Sequence, residues 1–204
     1  KIYTIGEALI DFIPVQTAAN LSAVDAFQKR PGGAPANVAV AAAKLGAESY
    51  FIGMVGDDSF GHFLKDTIQN YGVNTRYLKT TKKAKTALAF VSLAEDGQRD
   101  FSFYRNPSAD LLLDKSDVEE VVFTSEDYIS FGSVDLVEYP VKYATEYLLQ
   151  KAKAVNATIL FDPNIRKDLW DDLEECRQTV LSFMKYANIV KMADDEVEFI
   201  TGKT

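Results

Sequence analysis

The sequence alternates between short apolar runs and amphipathic segments of helical length, and this alternation constrains the fold more than any other feature. Strand-like patterns cover residues 1–14, 50–55, 128–131, 157–161 and 188–192. Helix-like patterns cover residues 34–45, 59–71, 139–155, 172–185 and 194–200. Strands and helices in regular succession indicate βαβ units, so we expect an α/β fold built on a mostly parallel sheet.

One segment interrupts the alternation and predicts a β-hairpin. Residues 86–93 and 99–105 are rich in strand formers and flank an Asp-Gly pair within 95–98, a strong hairpin signal. A hairpin inserted into a parallel α/β domain lies outside the main sheet, as a flap or an interface. Alternation along its second strand gives one face with two aromatic residues between two arginines: Arg99, Phe101, Phe103 and Arg105. This face could cover an anionic or sugar-like ligand or simply pack on the body, and the hairpin alone leaves both readings open.

The strongest local signal is a glycine-rich loop, Pro-Gly-Gly-Ala-Pro-Ala-Asn-Val-Ala at residues 31–39. We interpret its first three residues as a turn, in which Gly32 and Gly33 permit close backbone approach. Pro35 is tolerated in a first helical turn, so the loop should present free N–H groups at a helix N-terminus, where hydroxyls or anions bind. Asn37 both donates and accepts hydrogen bonds, which suits a sugar diol. The spacing differs from the GxGxxG fingerprint of dinucleotide-binding domains.

Composition excludes several classes of function. A net charge of −8 argues against nucleic-acid binding, and no apolar run is long enough to predict a membrane-spanning helix. The single histidine, His62, and the single cysteine, Cys176, cannot build a zinc site or a redox pair. We expect a packing or capping role for His62 and a structural role within a helix for Cys176. A lone cysteine fits a reducing compartment such as the cytoplasm. Carboxylates, Arg and Lys side chains, backbone amides and a hard metal ion are left to carry the chemistry.

A series of ordered blocks resembles the ribokinase/PfkB family of carbohydrate kinases, and within it the fructokinases most closely. The most specific are Phe-Tyr-Arg-Asn-Pro-Ser-Ala-Asp at 103–110 and Asp-Pro-Asn-Ile-Arg at 162–166; the others lie at 6–14, 32–39, 56–61, 86–91 and 191–202. The resemblance implies a three-layer αβα sandwich of the ribokinase-like, Rossmann type. A small β lid would be contributed by about residues 12–30 and 86–106.

The resemblance also implies a substrate site at the carboxyl edge of the parallel sheet, where ligands bind in open α/β folds. Asp11, at the end of the first β-rich segment, would accept sugar hydroxyls, and the aromatic lid would exclude water. The implied substrate-binding residues are Asp11, Gly32, Gly33, Asn37, Phe101, Phe103, Arg105 and Asn164.

Further residues would serve the phosphate end of this site. The resemblance implies that Arg166 is catalytic and meets charge on the transferred phosphate, and that Asn164 and Lys191 contact the nucleotide. Glu196 would act on Mg²⁺ through water, although Ala193 stands where the family motif has asparagine. A plainer reading of the acidic residues at 194–196 is that they complement the dipole of a helix N-terminus.

The implied activity is ATP-dependent phosphorylation of fructose to fructose 6-phosphate with Mg²⁺, and a K⁺ site is left open. Two alternatives remain: 2-keto-3-deoxygluconate kinase or another PfkB sugar kinase, and a sugar-binding regulator without catalysis. The carboxylate substrate of the first would favour cationic contacts, and Leu88, Ala89 and Phe90 offer none.

The family's general base, an aspartate in a Gly-Ala-Gly-Asp turn, does not occur in this sequence. We therefore expect residues 1–204 to be the N-terminal two-thirds of a kinase domain, without the catalytic and ATP-binding C-terminal portion. The expected partners are a sugar and ATP, with no nucleic acid and no membrane, and the exposed edges of the lid favour a homodimer through the β lid.

Overall fold

The computed structural model describes residues 1–15, 21–93 and 99–203, which form two β-sheets and flanking helices. The strands are β1 (Ile2–Ile5), β2 (Leu9–Pro14), β3 (Phe27–Gly32), β4 (Ser49–Gly56), β5 (Leu78–Thr81), β6 (Leu88–Leu93), β7 (Arg99–Tyr104), β8 (Tyr128–Phe131), β9 (Thr158–Phe161) and β10 (Ile189–Val190). The helices are α1 (Ala34–Lys44), α2 (Ser59–Asn70), α3 (Lys115–Val118), α4 (Pro140–Ala154), α5 (Leu173–Met184) and α6 (Asp194–Thr201).

The main sheet is parallel and has the strand order β10-β9-β8-β1-β4-β5. Its two faces carry separate hydrophobic cores. Phe51 packs with Leu64 of α2 in one core, and Phe161 packs with Leu148 of α4 in the other. Because the chain runs outward in opposite directions from β1 and from β8, the gap between these two strands is a topological switch point, where α/β proteins bind ligands. The predicted three-layer α/β fold is confirmed.

The second sheet is a lid of four strands in the order β3-β2-β6-β7. Its strands come from two separate segments of the chain: β2 and β3 lie between β1 and α1, and β6 and β7 follow β5. The predicted hairpin strands pair antiparallel from Leu88 opposite Tyr104 to Leu93 opposite Arg99, while the Asp-Gly turn lies outside the described residues. The inward face of the lid packs Leu9, Ala87 and Ala89 against the lid aromatics.

The structure corrects one local prediction and adds elements that the sequence pattern did not reveal. Pro31 and Gly32 are not a turn: they end β3, where Pro31 lies opposite Ile10 and Gly32 opposite Leu9. Proline is tolerated there because β3 is an edge strand, and no neighbour requires its missing N–H. The hydrophobic pattern did not predict strand β5 or the short helix α3, and β3 was implied only in part, by the lid segment at about residues 12–30. Within the described part of the chain, no helix is long and apolar enough to cross a membrane.

Candidate active site

A cavity of about 280 Å³ lies where the lid overhangs the carboxyl ends of the main-sheet strands. It is bounded by β2 and the loop before it, the start of α1, β7, and the loops after β8 and β9. Its lining residues are Glu7, Leu9, Asp11, Gly33, Ala34, Asn37, Phe101, Phe103, Val134, Asn164 and Arg166. The structure therefore brings together seven of the predicted site residues, from segments far apart in sequence, at the switch point of the sheet.

The glycine-rich loop is shaped by a tight backbone contact. Gly33 precedes α1 with φ +103°, and a Cβ there would lie 2.3 Å from the carbonyl oxygen of Glu7. Only glycine fits this position without strain. Asn37 is held one turn into α1 by its N–H, which donates to the Gly33 carbonyl over 3.0 Å. Both Gly33 and Asn37 therefore line the cavity.

Gly32 contributes space rather than a wall of the cavity. A Cβ on Gly32 would lie 2.2 Å from Oδ2 of Asp11, so glycine is what leaves room for that carboxylate between β2 and β3. Asp11 itself is half-buried and lines the cavity. A half-buried carboxylate at this edge is suited to accept hydrogen bonds from ligand hydroxyls.

The lid side of the cavity is aromatic. The rings of Phe101 and Phe103 are stacked with centroids 5.8 Å apart. The Arg166 guanidinium lies over the Phe101 ring, 5.6 Å from its centroid, a cation–π distance. One aromatic pair therefore covers the cavity and also contacts the loop after β9.

Arg105 departs from the prediction that it covers a ligand together with the lid phenylalanines. Its guanidinium is buried and donates to Asp110, to Asp135 and, over 3.1 Å, to the Val134 carbonyl. Burial lowers the pKa of Arg105, but the two carboxylates outweigh burial and raise it. Arg105 is not among the residues that line the cavity with Asp11, because these carboxylates hold it beneath the lid.

The loop after β9 carries Asn164 and Arg166 in a fixed conformation. Asn164 has φ +47°, a left-handed conformation that asparagine tolerates better than most residues. The next N–H, of Ile165, donates to Oε1 of Glu196 over 2.7 Å. The other oxygen of Glu196 accepts the N–H of Ala193 over 2.9 Å, so this buried carboxylate ties the loop to the start of α6.

These contacts bear on the predicted metal and nucleotide residues. Each oxygen of Glu196 accepts one backbone amide, which is the geometry of a helix capping box. No cluster of three or more His, Cys, Asp or Glu side chains suited to a metal ion occurs in residues 1–15, 21–93 and 99–203. Lys191 also lies apart from the cavity: its exposed Nζ is 3.2 Å from Oδ2 of Asp162 at the sheet edge.

The single histidine and the single cysteine are placed outside the cavity. Nε2 of the exposed His62 lies 3.0 Å from Oδ1 of Asp57, at the start of α2. Cys176 is buried in α5, and burial raises the pKa of its thiol to about 11, which leaves little thiolate at neutral pH. The buried position of Cys176 agrees with its expected structural role, whereas His62 is exposed at the surface and does not pack in a core.

Sequence reasoning missed four residues that line the cavity: Glu7, Leu9, Ala34 and Val134. Ala34 adjoins Gly33, and Leu9 lies two residues before Asp11 on the same face of β2, so both could have been found from their positions. Glu7 follows Gly6 within a recognised block, but an acid after a glycine resembles an ordinary loop residue. Its burial depends on contacts between distant segments, which the local pattern does not show.

A parallel α/β sheet with a β lid over a polar cavity defines the ribokinase-like sugar kinases, and solved structures bear this out. A sugar kinase from Pyrococcus horikoshii, described as uncharacterized, superposes with a TM-score of 0.91 at 35% identity, over 98% of this chain and 65% of that one. The chain belongs to the pfkB family of carbohydrate kinases, whose family model matches residues 1–204. The resemblance seen in the sequence is confirmed.

Within the family, the relatives include many fructokinases. A probable fructokinase-2 from Arabidopsis thaliana is 42% identical over 201 residues, covering 98% of this chain and 61% of that protein. A Vibrio cholerae fructokinase double mutant, solved in a form with fructose, ADP and potassium bound, has a TM-score of 0.89 and 34% identity, over 100% of this chain and 63% of that one. The chain thus spans about three-fifths of the length of these relatives.

Proposed function

We propose that the full-length gene product is an ATP-dependent fructokinase that forms fructose 6-phosphate. The observation that carries the proposal is the convergence of Asp11, Asn37 and Arg166 on one cavity beneath an aromatic lid. The fructokinase relatives support the choice of sugar, and the fructose-bound structure of the Vibrio cholerae enzyme shows that the fold accepts it.

Sugar binding follows from the chemistry of the cavity walls. The Asp11 carboxylate accepts hydroxyl protons, and charge-assisted hydrogen bonds of this kind are stronger than neutral ones. Asn37 supplies one acceptor and two donors, which match a vicinal diol. Phe101 and Phe103 cover the bound sugar and exclude water, which limits hydrolysis of the phosphoryl donor and strengthens electrostatic contacts.

Phosphoryl transfer then requires alignment and charge neutralisation more than covalent help from the protein. The oxygen of the primary sugar hydroxyl forms a bond to the γ-phosphorus while the bond from that phosphorus to the bridging oxygen of ADP breaks. The guanidinium of Arg166 stabilises charge on the transferred group. The hydroxyl proton passes to a base, which we propose is the aspartate of the family's Gly-Ala-Gly-Asp turn; that turn is not among these 204 residues.

The phosphoryl donor is proposed to be ATP, with a divalent cation such as Mg²⁺ bound to its phosphates. The Pyrococcus horikoshii sugar kinase has been solved in complex with ATP, which supports the nucleotide. Asn164 and Lys191, near the carboxyl end of β9 and beside β10, are the proposed nucleotide contacts. Glu196, whose oxygens accept two backbone amides, is proposed to contact the cation through water.

The experiment is a coupled phosphorylation assay and calorimetric titration of the full-length gene product with fructose, glucose, ribose and 2-keto-3-deoxygluconate. We expect kcat/KM for fructose to exceed that for each other sugar at least tenfold. Asp11→Ala should lower it at least 100-fold, whereas Asp66→Ala, an exposed acid on α2, should leave it unchanged. Preference for 2-keto-3-deoxygluconate would overturn the assigned substrate, and sugar binding without turnover would identify a regulator.

We also propose a homodimer through the outer face of the lid. On the face opposite Phe101 and Phe103, Phe12 and Phe90 stack with centroids 4.9 Å apart, and Phe12 also contacts Phe60 of α2. Tyr104 contacts Phe90 and remains 64% exposed. An aromatic patch on a small sheet is suited to pack on a second copy of itself. Light scattering should give twice the monomer mass, and Tyr104→Arg should shift the equilibrium toward monomer; a monomeric wild type would contradict the proposal.

A further inference from the structure

Beneath the cavity lies a buried charged cluster to which the proposed reaction assigns no role. Arg105, just after β7, is paired with Asp110 and with Asp135, which follows β8. A third carboxylate, that of Glu7 between β1 and β2, is buried in the same electrostatic field. The cluster therefore connects the end of the lid with loops at the carboxyl edge of the main sheet.

Among these four residues, Glu7 is the one that lines the cavity, and it contacts the sugar loop twice. Its Oε1 accepts the N–H of Ala34 over 2.9 Å. Its carbonyl oxygen lies directly under Gly33, where an added Cβ would approach to 2.3 Å. The N-cap residue Gly33 has no side chain that could cap α1, so a carboxylate from a distant segment performs this function.

We propose that Glu7 is a positioning residue that fixes the Gly33–Asn37 loop in its ligand-binding orientation, by capping α1 from a buried position in the electrostatic field of Arg105. The inference rests on the proposed function for its link to the sugar. Its physical reason is that the loop backbone must hold its shape before ligand arrives, because each loosened dihedral would have to be fixed at the expense of affinity.

The charge state of Glu7 is compatible with this role. Burial raises the pKa of Glu7 to about 7, and the nearby Arg105 charge only partly offsets burial, while the Asp110 charge reinforces it. Asp135 faces the same cluster, and burial raises its pKa well above the ordinary value. The carbonyl oxygen of a protonated carboxyl still accepts a hydrogen bond, so the contact with Ala34 survives in both states. Glutamine should therefore replace Glu7 functionally, and leucine should not.

The test compares Glu7→Leu with Glu7→Gln in the full-length gene product, with the exposed Glu126→Leu as control. In the absence of sugar, amide exchange of residues 32–40 should be at least fivefold faster in E7L and within twofold of wild type in E7Q and E126L. With fructose, E7L should raise KM at least tenfold and change kcat less than threefold, because the loop binds sugar without joining the chemical step.

A second variant removes the donor instead of the acceptor. Ala34→Pro eliminates the N–H at the first helical position, which proline tolerates, and should reproduce the KM increase of E7L even if E7L does not fold. Wild-type exchange and KM in A34P, or an E7Q defect as large as that of E7L, would overturn the positioning role. If the wild type turned over no sugar at all, the proposed function would be wrong. The role of Glu7 would still be testable, because amide exchange is measured without sugar.

Discussion

The main sheet and the lid differ in how their strands are supported. In β4 of the main sheet nearly every residue is buried, because helices cover both faces. In β3 of the lid, half of the residues are exposed, and only the inward face of the lid meets the cavity. The lid therefore depends on strand pairing, on a small cluster around Leu9, Ala87 and Ala89, and on packing of one face against the core of the body through Ile10.

Two polar anchors connect the lid to the body. At the start of β6, Asp58 accepts the N–H and the hydroxyl of Thr86 over 2.9 and 2.8 Å while it caps α2. At the end of β7, the Arg105 cluster serves the same purpose. The difference in burial between the main sheet and the lid indicates that global stability depends chiefly on the body. The lid contributes ligand contacts and is held by a few polar contacts.

The largest expected difference in stability is between the alanine variants of two phenylalanines, one in the body and one in the lid. Phe161→Ala removes a fully buried ring stacked on Phe131, 4.3 Å away, and should cost about 3–5 kcal/mol, or about 10 °C in Tm. Phe101→Ala, in the lid, should change Tm by no more than about 3 °C and mainly raise KM for sugar. Thermal melts and kinetics check both, and an equal loss of Tm would break the distinction between body and lid.

Two glycines with positive φ give the next contrast. Gly33→Ala forces a Cβ to 2.3 Å from the Glu7 carbonyl and should destabilise by about 2–4 kcal/mol, with sugar affinity reduced more than tenfold. Gly46→Ala, after α1, has φ +90° with no atom within 4 Å and should cost about 1 kcal/mol of backbone strain alone. Denaturant unfolding of both variants measures the difference; similar losses would mean that the contact under Gly33 is not tight.

Loss of the Asp58 anchor should have a smaller effect on the free energy of unfolding. Asp58→Ala removes a helix cap and the Thr86 contacts together, so it should cost about 2 kcal/mol, against about 1 kcal/mol for the exposed cap Asp114→Ala. Amide exchange in β6 should accelerate only in the Asp58 variant. Equal exchange in the two variants would show that this anchor does not hold the lid.

The second anchor predicts a pH dependence of stability, carried by Glu7. Because the pKa of Glu7 is raised from 4.5 to about 7 by burial, its stabilising contribution is complete below pH 4.5 and is lost as pH rises through 7. E7Q lacks this titration, so its Tm relative to wild type should increase between pH 5 and pH 8, while Glu126→Gln shows no such trend. A constant difference across this range would contradict the raised pKa.

Much of the fold was predictable because hydrophobic periodicity is a local property. The predicted strand at 128–131 and helix at 139–155 match β8 and α4 within one residue. The hydrophobic pattern did not indicate strand β3, because β3 is an exposed edge and its polar, proline-containing sequence lacks the alternation of a half-buried strand.

The site was predictable in part, through the resemblance and the glycine loop. Asp11, Asn37 and Arg166 converge as expected. Arg105 did not follow the face it shares with Phe103, because β7 ends at Tyr104 and strand alternation no longer applies beyond it. Asp135, thirty positions along the chain, instead helps to draw its guanidinium inward.

The sequence by itself determined the order of strands and helices, the glycines of the loop and the family, since these depend on patterns within short segments. Only the tertiary structure decided which polar side chains face the cavity and which lie beneath it. Charged groups pair with partners brought close by folding, and for Glu7, Arg105 and Glu196 those partners lie in other segments of the chain. Burial makes such pairing obligatory, because an unpaired charge removed from water is too costly.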